Sequence, residues 1–489
     1  MAAPSRPWPA LIALIVGYFM VVLDMTIVAV ANPVIMDSLH ADVTSLVWAT
    51  SAYLLTFAAL LLPAGRLGDH FGPKRIYLAG LALFTAASLG CGLAPTIGAL
   101  IAARAVQGVG AALVTPQTMA VITRTFPPER RSAAMSLWGA VAGLANLIGP
   151  LLGGLLVDRA GWESIFYVNI PVGLAGLALA VRYVPALPAH THRFDLTGLV
   201  LSSSGMSLLV LGIQEGGSQG WAGWTWWSVA AGLAVLGVFV AHQARTSADP
   251  LLPLGIFRDR AFAAAACAVG LAAAAVAAVM VPLYLYLESV RDLAGAKAGL
   301  LLAPMALLAI VFVPVIGLFG DRLHPRVAPV TGLALFAVTL AGFALLMTPD
   351  SPVGLFLAGA ALAGIANACI WPSLAVAATL RLPPEQAGAG AGVYNALRQV
   401  GSVLGSAAVG AVVASRMAVH GLPADLAGGT KGGTTVPEAL RAAFGSALAD
   451  SVYLPVALLA LGAVVAALIV RAERPAPQAR PSSSVAVNP

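Results

Sequence analysis

The sequence predicts an all-α integral membrane protein with fourteen spanning helices. Its residues are 60% hydrophobic and only 9% charged, a composition typical of a chain whose surface faces lipid. Apolar runs long enough to cross a hydrocarbon core of about 30 Å also recur from end to end. We expect helices at about 9–31, 46–64, 76–95, 98–121, 133–157, 164–184, 196–214, 225–243, 262–287, 298–319, 327–347, 353–379, 388–415 and 449–470.

The distribution of basic residues supports this number of helices. An even number puts both termini on one side, and a cytoplasmic N terminus follows the rule that inside loops carry the excess of Lys and Arg. The inside loops then hold Arg6, Arg66, Lys74, Arg75, Arg124, Arg130, Arg131, Arg182, Arg193, Arg245, Arg258, Arg260, Arg322, Arg326, Arg381, Arg471, Arg474 and Arg480. The outside loops hold only Arg159, Arg291, Lys297, Arg416, Lys431 and Arg441.

The first apolar run, residues 11–33, carries Asp24 near its middle. A carboxylate at the centre of a membrane helix costs about 2.5–3.5 kcal/mol, so such a residue usually faces the bundle interior or a water-filled cavity and has a function there. One alternative is a permanently protonated Asp24 that only packs against a neighbouring helix. A signal peptide over residues 1–31 fits less well, because many similar apolar segments follow.

Several function classes are excluded by what the sequence lacks. The three cysteines, Cys91, Cys267 and Cys369, lie far apart within apolar segments, so we expect no disulfide framework and no metal site. The basic residues form no patch that indicates nucleic-acid binding. No loop holds a nucleophile, base and oxyanion set, which argues against an enzyme. Without a GxxxxGK[ST] loop for nucleotide phosphates, energy must come from an ion gradient and no cofactor is expected.

An internal repeat divides the chain. The segment GRLGDHFGPKR at 65–75 returns in weaker form as GLFGDRLHPR at 317–326. Two copies of one loop predict two related halves, an architecture common among secondary transporters. We expect a six-helix bundle over 1–195, a two-helix insert over 196–260, a second six-helix bundle over 261–474 and a disordered cytoplasmic tail over 475–489.

These motifs together resemble a known family. The 65–75 loop is similar to the helix 2–3 signature of the major facilitator superfamily, and WGAVAGLANLIGPLLGG at 138–154 resembles the antiporter signature of drug exporters. With LDMTIVAVANP in the first helix, the chain resembles the fourteen-helix drug:proton antiporter family. The resemblance implies the major facilitator fold, with two six-helix bundles and two inserted helices, and assigns Asp24 and Arg104 to proton coupling. Snorkelling of Arg104 to the outer interface is the alternative.

Two further groups of residues follow from the motifs. The loop motif predicts a latch on the cytoplasmic face, with solvated loop charges as its alternative, formed by Gly65, Asp69, Gly72, Lys74, Arg75 and Arg398, the last placed to pair with Asp69. The fifth-helix motif predicts a seam of small residues between the halves, with ordinary helix packing as its alternative. The seam comprises Gly139, Gly143, Asn146, Gly149, Pro150, Gly153 and Gly154. Ala145 and Asn146 depart from the family pattern there.

The remaining candidates are polar or aromatic residues near helix ends and within weaker motifs. We expect a substrate cavity or gate that includes Asn32, Tyr284, Tyr286, Glu288 and Asn395. The sequence as a whole predicts a proton-driven antiporter that exports amphipathic drugs or antibiotics, acting as a monomer in a bacterial plasma membrane with both termini cytoplasmic. An uptake permease or facilitator for a sugar or other small metabolite is the alternative. The substrate itself does not follow from the sequence.

Overall fold

The computed structural model describes residues 7–189, 195–218, 223–246, 250–293, 296–320, 324–423 and 436–469, and all the regular structure in them is helical. Fourteen helices are long and apolar enough to cross a membrane, which confirms the predicted number. They are α1 Pro7–Ser38, α2 Val43–Phe71, α3 Pro73–Gly92, α4 Ile97–Thr125, α5 Pro128–Ala160, α6 Ser164–Tyr183, α7 Leu196–Ser218, α8 Gly223–Arg245, α9 Arg260–Ser289, α10 Ala296–Gly320, α11 Val327–Leu346, α12 Val353–Thr379, α13 Ala387–Val419 and α14 Glu438–Ala467. The expected tail over 475–489 lies outside the described residues.

Side-chain caps explain where several of these helices begin. Asp42 accepts a hydrogen bond from the Ser45 amide ahead of α2, and Thr96 accepts one from the Ala99 amide ahead of α4, each at 3.3 Å. Asp259 accepts from the Ala261 amide at 2.7 Å at the start of α9. Each cap satisfies an amide at a helix end that has no partner within the helix.

The first six helices pack as one bundle and the last six as a second bundle, and the two bundles contact each other. Within the first six helices α2 packs on α4 and α1 on α5, while in the last six α9 packs on α13 and α14. Across the halves α2 contacts α13, and α5 contacts α10 and α12. Helix α7 of the insert lies against both α2 and α13. The insert therefore lies beside the junction of the two halves and covers one flank of it.

A carboxylate anchors the insert at the end where α7 begins. Asp195 accepts hydrogen bonds from the Gly198 amide and the Gln243 side chain at 2.7 Å each, and its Oδ1 lies 3.1 Å from His242 Nε2. Gln243 also accepts from the Leu252 amide at 3.0 Å. Asp195 and Gln243 together thus join the start of α7, the end of α8 and the segment that leads into α9.

Removal of this anchor should loosen the insert. Asp195→Ala leaves the Gly198 amide and the Gln243 amide without their acceptor, and we expect a loss of about 1–3 kcal/mol of stability, visible as earlier proteolysis within 195–246. Burial raises the pKa of Asp195, but the hydrogen bonds from Gly198, Gln243 and His242 outweigh it and hold the pKa below its ordinary value. The stabilisation is therefore present above about pH 4 and is lost as the pH falls through the depressed pKa.

The control for this measurement is Asp158→Ala, which removes an exposed carboxylate at the end of α5. Surface substitutions of this kind usually change stability by less than about 0.5 kcal/mol. Equal protease sensitivity of the two variants, or cleavage of Asp195→Ala only outside the insert, would contradict the anchoring role of Asp195.

Candidate functional site

Asp24 lies at the centre of a buried polar cluster. Its Oδ2 accepts a hydrogen bond from Arg104 Nη1 at 2.5 Å, and its Oδ1 accepts from Gln107 Nε2 at 2.9 Å and Asn169 Nδ2 at 3.0 Å. The Asp24 side chain is fully buried, and Arg104, Gln107 and Asn169 are at most 1% exposed. Helices α1, α4 and α6 thus bring together one acid, one base and two amides beneath the surface of the first bundle.

The guanidinium of Arg104 is held on every side. It donates through Nη1 to Gln107 Oε1 at 2.6 Å and through Nε to the Ala49 carbonyl at 3.3 Å. Its central carbon lies 4.2 Å from the centre of the Tyr53 ring, a distance at which a cation is attracted by the ring face. The alternative that Arg104 snorkels to an interface is therefore wrong, since the side chain points into the bundle and pairs with Asp24.

Gln107 and Asn169 were not predicted as members of this site. Gln107 lies three residues after Arg104, which places both side chains on one face of α4. Asn169 is the first residue after the break of α6, which divides Ser164–Tyr167 from Asn169–Tyr183. It also donates to Ser88 Oγ at 3.0 Å. Each is a polar residue within an apolar segment, and this was the one signal in the sequence that marked them.

A large central cavity lies beside this cluster. The cavity has a volume of about 1040 Å³, at the upper end of the range for small-molecule sites. Met25 and Thr26, directly after Asp24, contribute to its lining, although Asp24 itself does not. The other half contributes α9 to α13, including Met280, Phe336 and Trp371. A ligand in this cavity would contact both halves at once.

One of the five predicted cavity residues lines this space, namely Tyr284. Tyr286 is instead buried and donates to the Leu346 and Thr348 carbonyls at 3.2 and 2.7 Å, so it ties α9 to the end of α11. Asn395 is 3% exposed and donates to the Ala391 carbonyl within its own helix. Asn32 is half-buried and Glu288 exposed, and neither lines the cavity. These four residues do not line the cavity, and a role for them at a gate stays a prediction.

The cavity is closed at the end of the bundle that carries Arg66, Lys74, Arg124 and Arg131, called here the basic face. There the Asp69 carboxylate of α2 pairs with Arg124 of α4 at 2.5 Å. It also accepts hydrogen bonds from the Gly388 and Ala389 amides at 2.9 and 2.8 Å. These amides lie in the first turn of α13, where the helix dipole attracts a negative charge. Asp69 therefore joins the two halves.

Close approach of two backbones completes this closure. A Cβ atom on Gly65 would collide with the Gly388 carbonyl, and one on Gly388 would collide with the Gly65 carbonyl. In parallel, Arg131 of α5 donates to the Thr379 carbonyl of α12 at 3.0 Å. The two halves thus make direct contact along both α2–α13 and α5–α12 at the basic face.

The other members of the expected latch have different positions. Gly72 has a positive φ of 91°, a backbone conformation that favours glycine, and it sets the turn between α2 and α3. Lys74 donates to the Val181 carbonyl at 2.8 Å, while Arg75 is exposed. The expected pairing of Arg398 with Asp69 is wrong. Arg398 lies ten residues after Gly388, about 15 Å further along α13, where it lines the central cavity.

The predicted seam on α5 is only partly a contact between the halves. Gly139 faces Pro372 of α12, where an added Cβ atom would lie 3.2 Å from the proline ring, closer than ordinary van der Waals contact. Gly139, Gly143 and Pro150 also line the cavity. At the level of these residues the cavity lies between the two bundles, so α5 does not contact the other half there. Gly149, Gly153 and Gly154 therefore pack against α1, at Thr26, Ile27 and Val30 of the same half. The structure does not describe the side chain of Asn146.

Comparison with known proteins agrees with this architecture. The Major Facilitator Superfamily description matches residues 14–406. An uncharacterized transporter of this type from Mycobacterium tuberculosis is 46% identical over 95% of this chain and 81% of its own length. The tetracenomycin C resistance and export protein of Streptomyces glaucescens is 35% identical over 84% of this chain and 77% of its own. Relatives of similar identity are named as methylenomycin A and multidrug resistance proteins.

The fold also resembles a solved structure. The proton:xylose symporter XylE superposes with a TM-score of 0.64 at 11% identity and covers 94% of each chain, a likeness that concerns the fold alone. The family match covers most of the described helices and makes the chain a multi-pass membrane transporter rather than an enzyme. The chain belongs to the major facilitator superfamily, and within it is related to antibiotic and multidrug export proteins.

Proposed function

We propose that this protein is a proton-driven antiporter that exports amphipathic small molecules from the cytoplasm by alternating access. It acts as a monomer in the bacterial plasma membrane, with the basic face and both termini in the cytoplasm, and needs no cofactor beyond the proton gradient. The buried pair of Asp24 and Arg104 beside the central cavity is the observation that carries this proposal.

Protonation of Asp24 removes the charge that holds Arg104. The guanidinium is 1% exposed, and breaking a buried ion pair on one side costs about 3–5 kcal/mol, because the remaining charge stays uncompensated. A conformation in which Arg104 meets water or another acceptor then becomes favoured. Proton binding at Asp24 therefore shifts the balance between two arrangements of the helices around it, as an antiporter requires.

The position of Asp24 on α1 connects this shift to the substrate. Met25 and Thr26 line the cavity, and Thr26 packs against Gly149 of α5, so α1 and α5 move together. A change in the tilt of α1 would alter the shape of the cavity without any contact between proton and substrate. Substrate and proton then compete for one conformational equilibrium rather than for one site.

The closed basic face fits one state of such a cycle. With the basic face in the cytoplasm, the contacts of Asp69 and of Arg131 across the halves close the cytoplasmic end. The cavity occupies the region between the middle of the helices and the opposite face, from which protons would enter. Release of these contacts would open the cytoplasmic end to substrate, as in the rocking of two halves around a fixed site.

The proton gradient supplies enough free energy for this exchange. One proton that enters across about 100 mV releases roughly 2.3 kcal/mol, and one pH unit adds about 1.4 kcal/mol. Together they would sustain a gradient of a neutral substrate of roughly a few hundred-fold. A facilitator would sustain no gradient at all, so accumulation against a gradient separates the two.

The test uses proteoliposomes with a pH-sensitive dye inside and an imposed pH gradient. Antibiotics and fluorescent dyes are added one at a time, and proton movement is recorded together with uptake of the compound. We expect at least one amphipathic compound to dissipate the gradient and to accumulate against its own gradient, and a protonophore to stop the accumulation. Equilibration of sugars or metabolites with no proton movement for any compound would establish the permease or facilitator alternative instead.

A further inference from the structure

Arg398 is a second arginine at membrane depth, and the proton-coupling cluster does not use it. It lies on α13 and lines the central cavity. Among the lining residues that the structure describes, Arg398 alone carries a charge, and no Asp or Glu is among them. Asp24, the nearest acid in the mechanism, is fully buried and already paired with Arg104. The cavity therefore presents one permanent positive charge with no carboxylate opposite to it.

Two tyrosines and one aromatic ring surround Arg398, and none of them is a carboxylate. Its guanidinium carbon lies 5.6 Å from the centre of the Trp371 ring. The Tyr18 hydroxyl lies beside the guanidinium, and Tyr394 is the other titratable group close to it. Neither tyrosine is a carboxylate, so neither supplies the permanent negative charge that would pair with Arg398.

Two buried donors on the same wall have no partner. The Tyr18 hydroxyl and the Trp138 indole nitrogen make no hydrogen bond within the described residues, although both side chains are at most 2% exposed. Their rings stack with centres 4.8 Å apart, and both line the cavity. A buried donor left without an acceptor costs about 1–3 kcal/mol. An acceptor supplied by a ligand would remove that cost.

The rest of the lining is apolar and adaptable. It includes Met280, Met305, Phe336 and Trp371, and methionines and aromatic rings accommodate flat hydrophobic ligands of varied outline. A ligand that satisfies the whole wall therefore has an extended apolar or aromatic body and one group rich in acceptor oxygens. A guanidinium binds such a group best when it is anionic, because the fork of N–H donors matches two oxygens.

We propose that the central cavity selects amphipathic organic anions, with an acidic group on Arg398 and acceptor oxygens within reach of Tyr18 and Trp138. This inference rests on the proposed export function and specifies its substrate class. A cationic drug would instead place its charge beside an unpaired guanidinium in a cavity without a compensating carboxylate, and such like-charge contacts oppose binding. Arg398 is thus a specificity residue rather than part of the latch.

The charge of the substrate has a measurable electrical consequence. In a one-for-one exchange, entry of a proton and exit of a monovalent anion move two charges in the same direction. Exit of a neutral compound moves one charge in all, and exit of a monovalent cation moves none. Since each charge changes the sustained gradient about tenfold per 60 mV, the voltage dependence of export reports the charge of the transported species.

The test uses three compounds that share one ring system: naphthalene-1-sulfonate as the anion, naphthalene-1-sulfonamide as the neutral analogue and (1-naphthylmethyl)trimethylammonium as the cation. Binding to the full-length protein in nanodiscs is measured by quenching of tryptophan fluorescence. We expect the native protein to bind the sulfonate at least tenfold more tightly than the other two. Arg398→Gln should remove this preference yet keep the affinity for the sulfonamide within about threefold, which also shows that the variant is folded.

Two further variants complete the design. Arg398→Lys keeps the charge and should retain part of the preference. Gly410→Ala, an exposed position on the same helix where an added Cβ atom meets nothing within 4 Å, should retain all of it. A preference for the cation or the neutral compound in the native protein, or an anion preference that survives in Arg398→Gln, would overturn the inference.

Failure of this inference is distinguishable from failure of the export function. If other compounds drive proton movement while the sulfonate binds no more tightly than its analogues, the antiport proposal is supported and the anion selectivity is contradicted. If the sulfonate preference depends on Arg398 while no compound moves protons, the chemistry of the cavity stands and the antiport proposal falls. If the voltage dependence of anion export is twice that of export of the neutral analogue, both the antiport proposal and the anion selectivity are supported.

Discussion

Asp24→Asn is expected to abolish uphill export while the protein still folds, inserts and binds its substrate. Asparagine has nearly the shape of aspartate and can still accept from Gln107 and Asn169, whose amides lie 2.9 and 3.0 Å from Oδ1. It cannot release a proton or balance the charge of Arg104. The variant therefore resembles the permanently protonated state, and the conformational equilibrium no longer responds to the proton gradient.

The measurement compares accumulation of a transported compound in proteoliposomes with and without a pH gradient. In the native protein the gradient should raise accumulation by up to about tenfold per pH unit, since one pH unit corresponds to about 1.4 kcal/mol for one proton. In Asp24→Asn the ratio should fall to about one, while exchange of labelled for unlabelled substrate continues. Uphill transport of native magnitude in this variant would show that the coupling proton binds elsewhere.

Two variants separate coupling from structure. Asp37→Asn neutralises an exposed acid on the same helix and should transport like the native protein. The double variant Asp24→Asn with Arg104→Gln removes the uncompensated buried charge as well, so it should recover any stability that the single variant loses, because a buried charge without a partner costs several kcal/mol. It should remain uncoupled. Recovery of coupling in the double variant would assign the proton to another group.

The sequence predicted the scaffold well for a physical reason. In lipid every backbone polar group must be satisfied within its own helix, so a spanning segment is a long apolar run that is visible without tertiary structure. An ionisable residue inside such a run is equally visible because it is costly there. Asp24 and Arg104 were found in this way, and the structure brings them into contact across α1 and α4.

Partnerships between distant side chains did not follow from the sequence. Arg398 resembles part of a family motif. It lies ten residues after Gly388 on α13, too far along the helix to reach Asp69, and it lines the cavity instead. Asp69 was expected to pair with it, whereas the actual partners are Arg124 and two backbone amides at the start of α13. Backbone donors have no signature in a sequence, because every residue except proline has one.

The partners of neutral polar residues could not be predicted from the sequence either. Tyr286 was expected in the cavity, but its hydroxyl donates to two carbonyls at the end of α11, whereas Gln107 belongs to the proton-coupling cluster and was not predicted. A tyrosine or glutamine in a membrane helix must find a partner, and the pattern of residues does not indicate whether that partner is backbone, side chain or substrate. Only the packing of the helices decides.

Gly388→Ala is expected to open the basic face and to reduce export by roughly fivefold or more. The added methyl group would collide with the Gly65 carbonyl and would lie 2.7 Å from Asp69 Oδ1, so α2 and α13 could not approach as closely as they do. Excess volume in a packed contact costs about 1–3 kcal/mol, which corresponds to a population shift of roughly 5-fold to 150-fold. Since only the closed basic face makes this contact, the shift favours the state open to the cytoplasm.

Accessibility of a single cysteine would report this shift. Ser406→Cys lines the cavity and is placed in a background without Cys91, Cys267 and Cys369. An impermeant maleimide added outside should label it readily, and Gly388→Ala should slow labelling about as much as it reduces export. Gly410→Ala is the matched control, since a Cβ atom there meets nothing within 4 Å.

A second glycine on the opposing helix makes the argument specific to the contact. Gly65→Ala should slow labelling like Gly388→Ala, because the two backbones approach each other at one point. The double variant should be little worse than either single one, since substitutions that disrupt one shared contact are not additive. Unchanged labelling in Gly388→Ala, or fully additive effects of the two substitutions, would mean that closure does not depend on the approach of α2 and α13. The pairing of Asp69 with Arg124 and the hydrogen bond from Arg131 to Thr379 would then be the contacts that hold the cytoplasmic end shut.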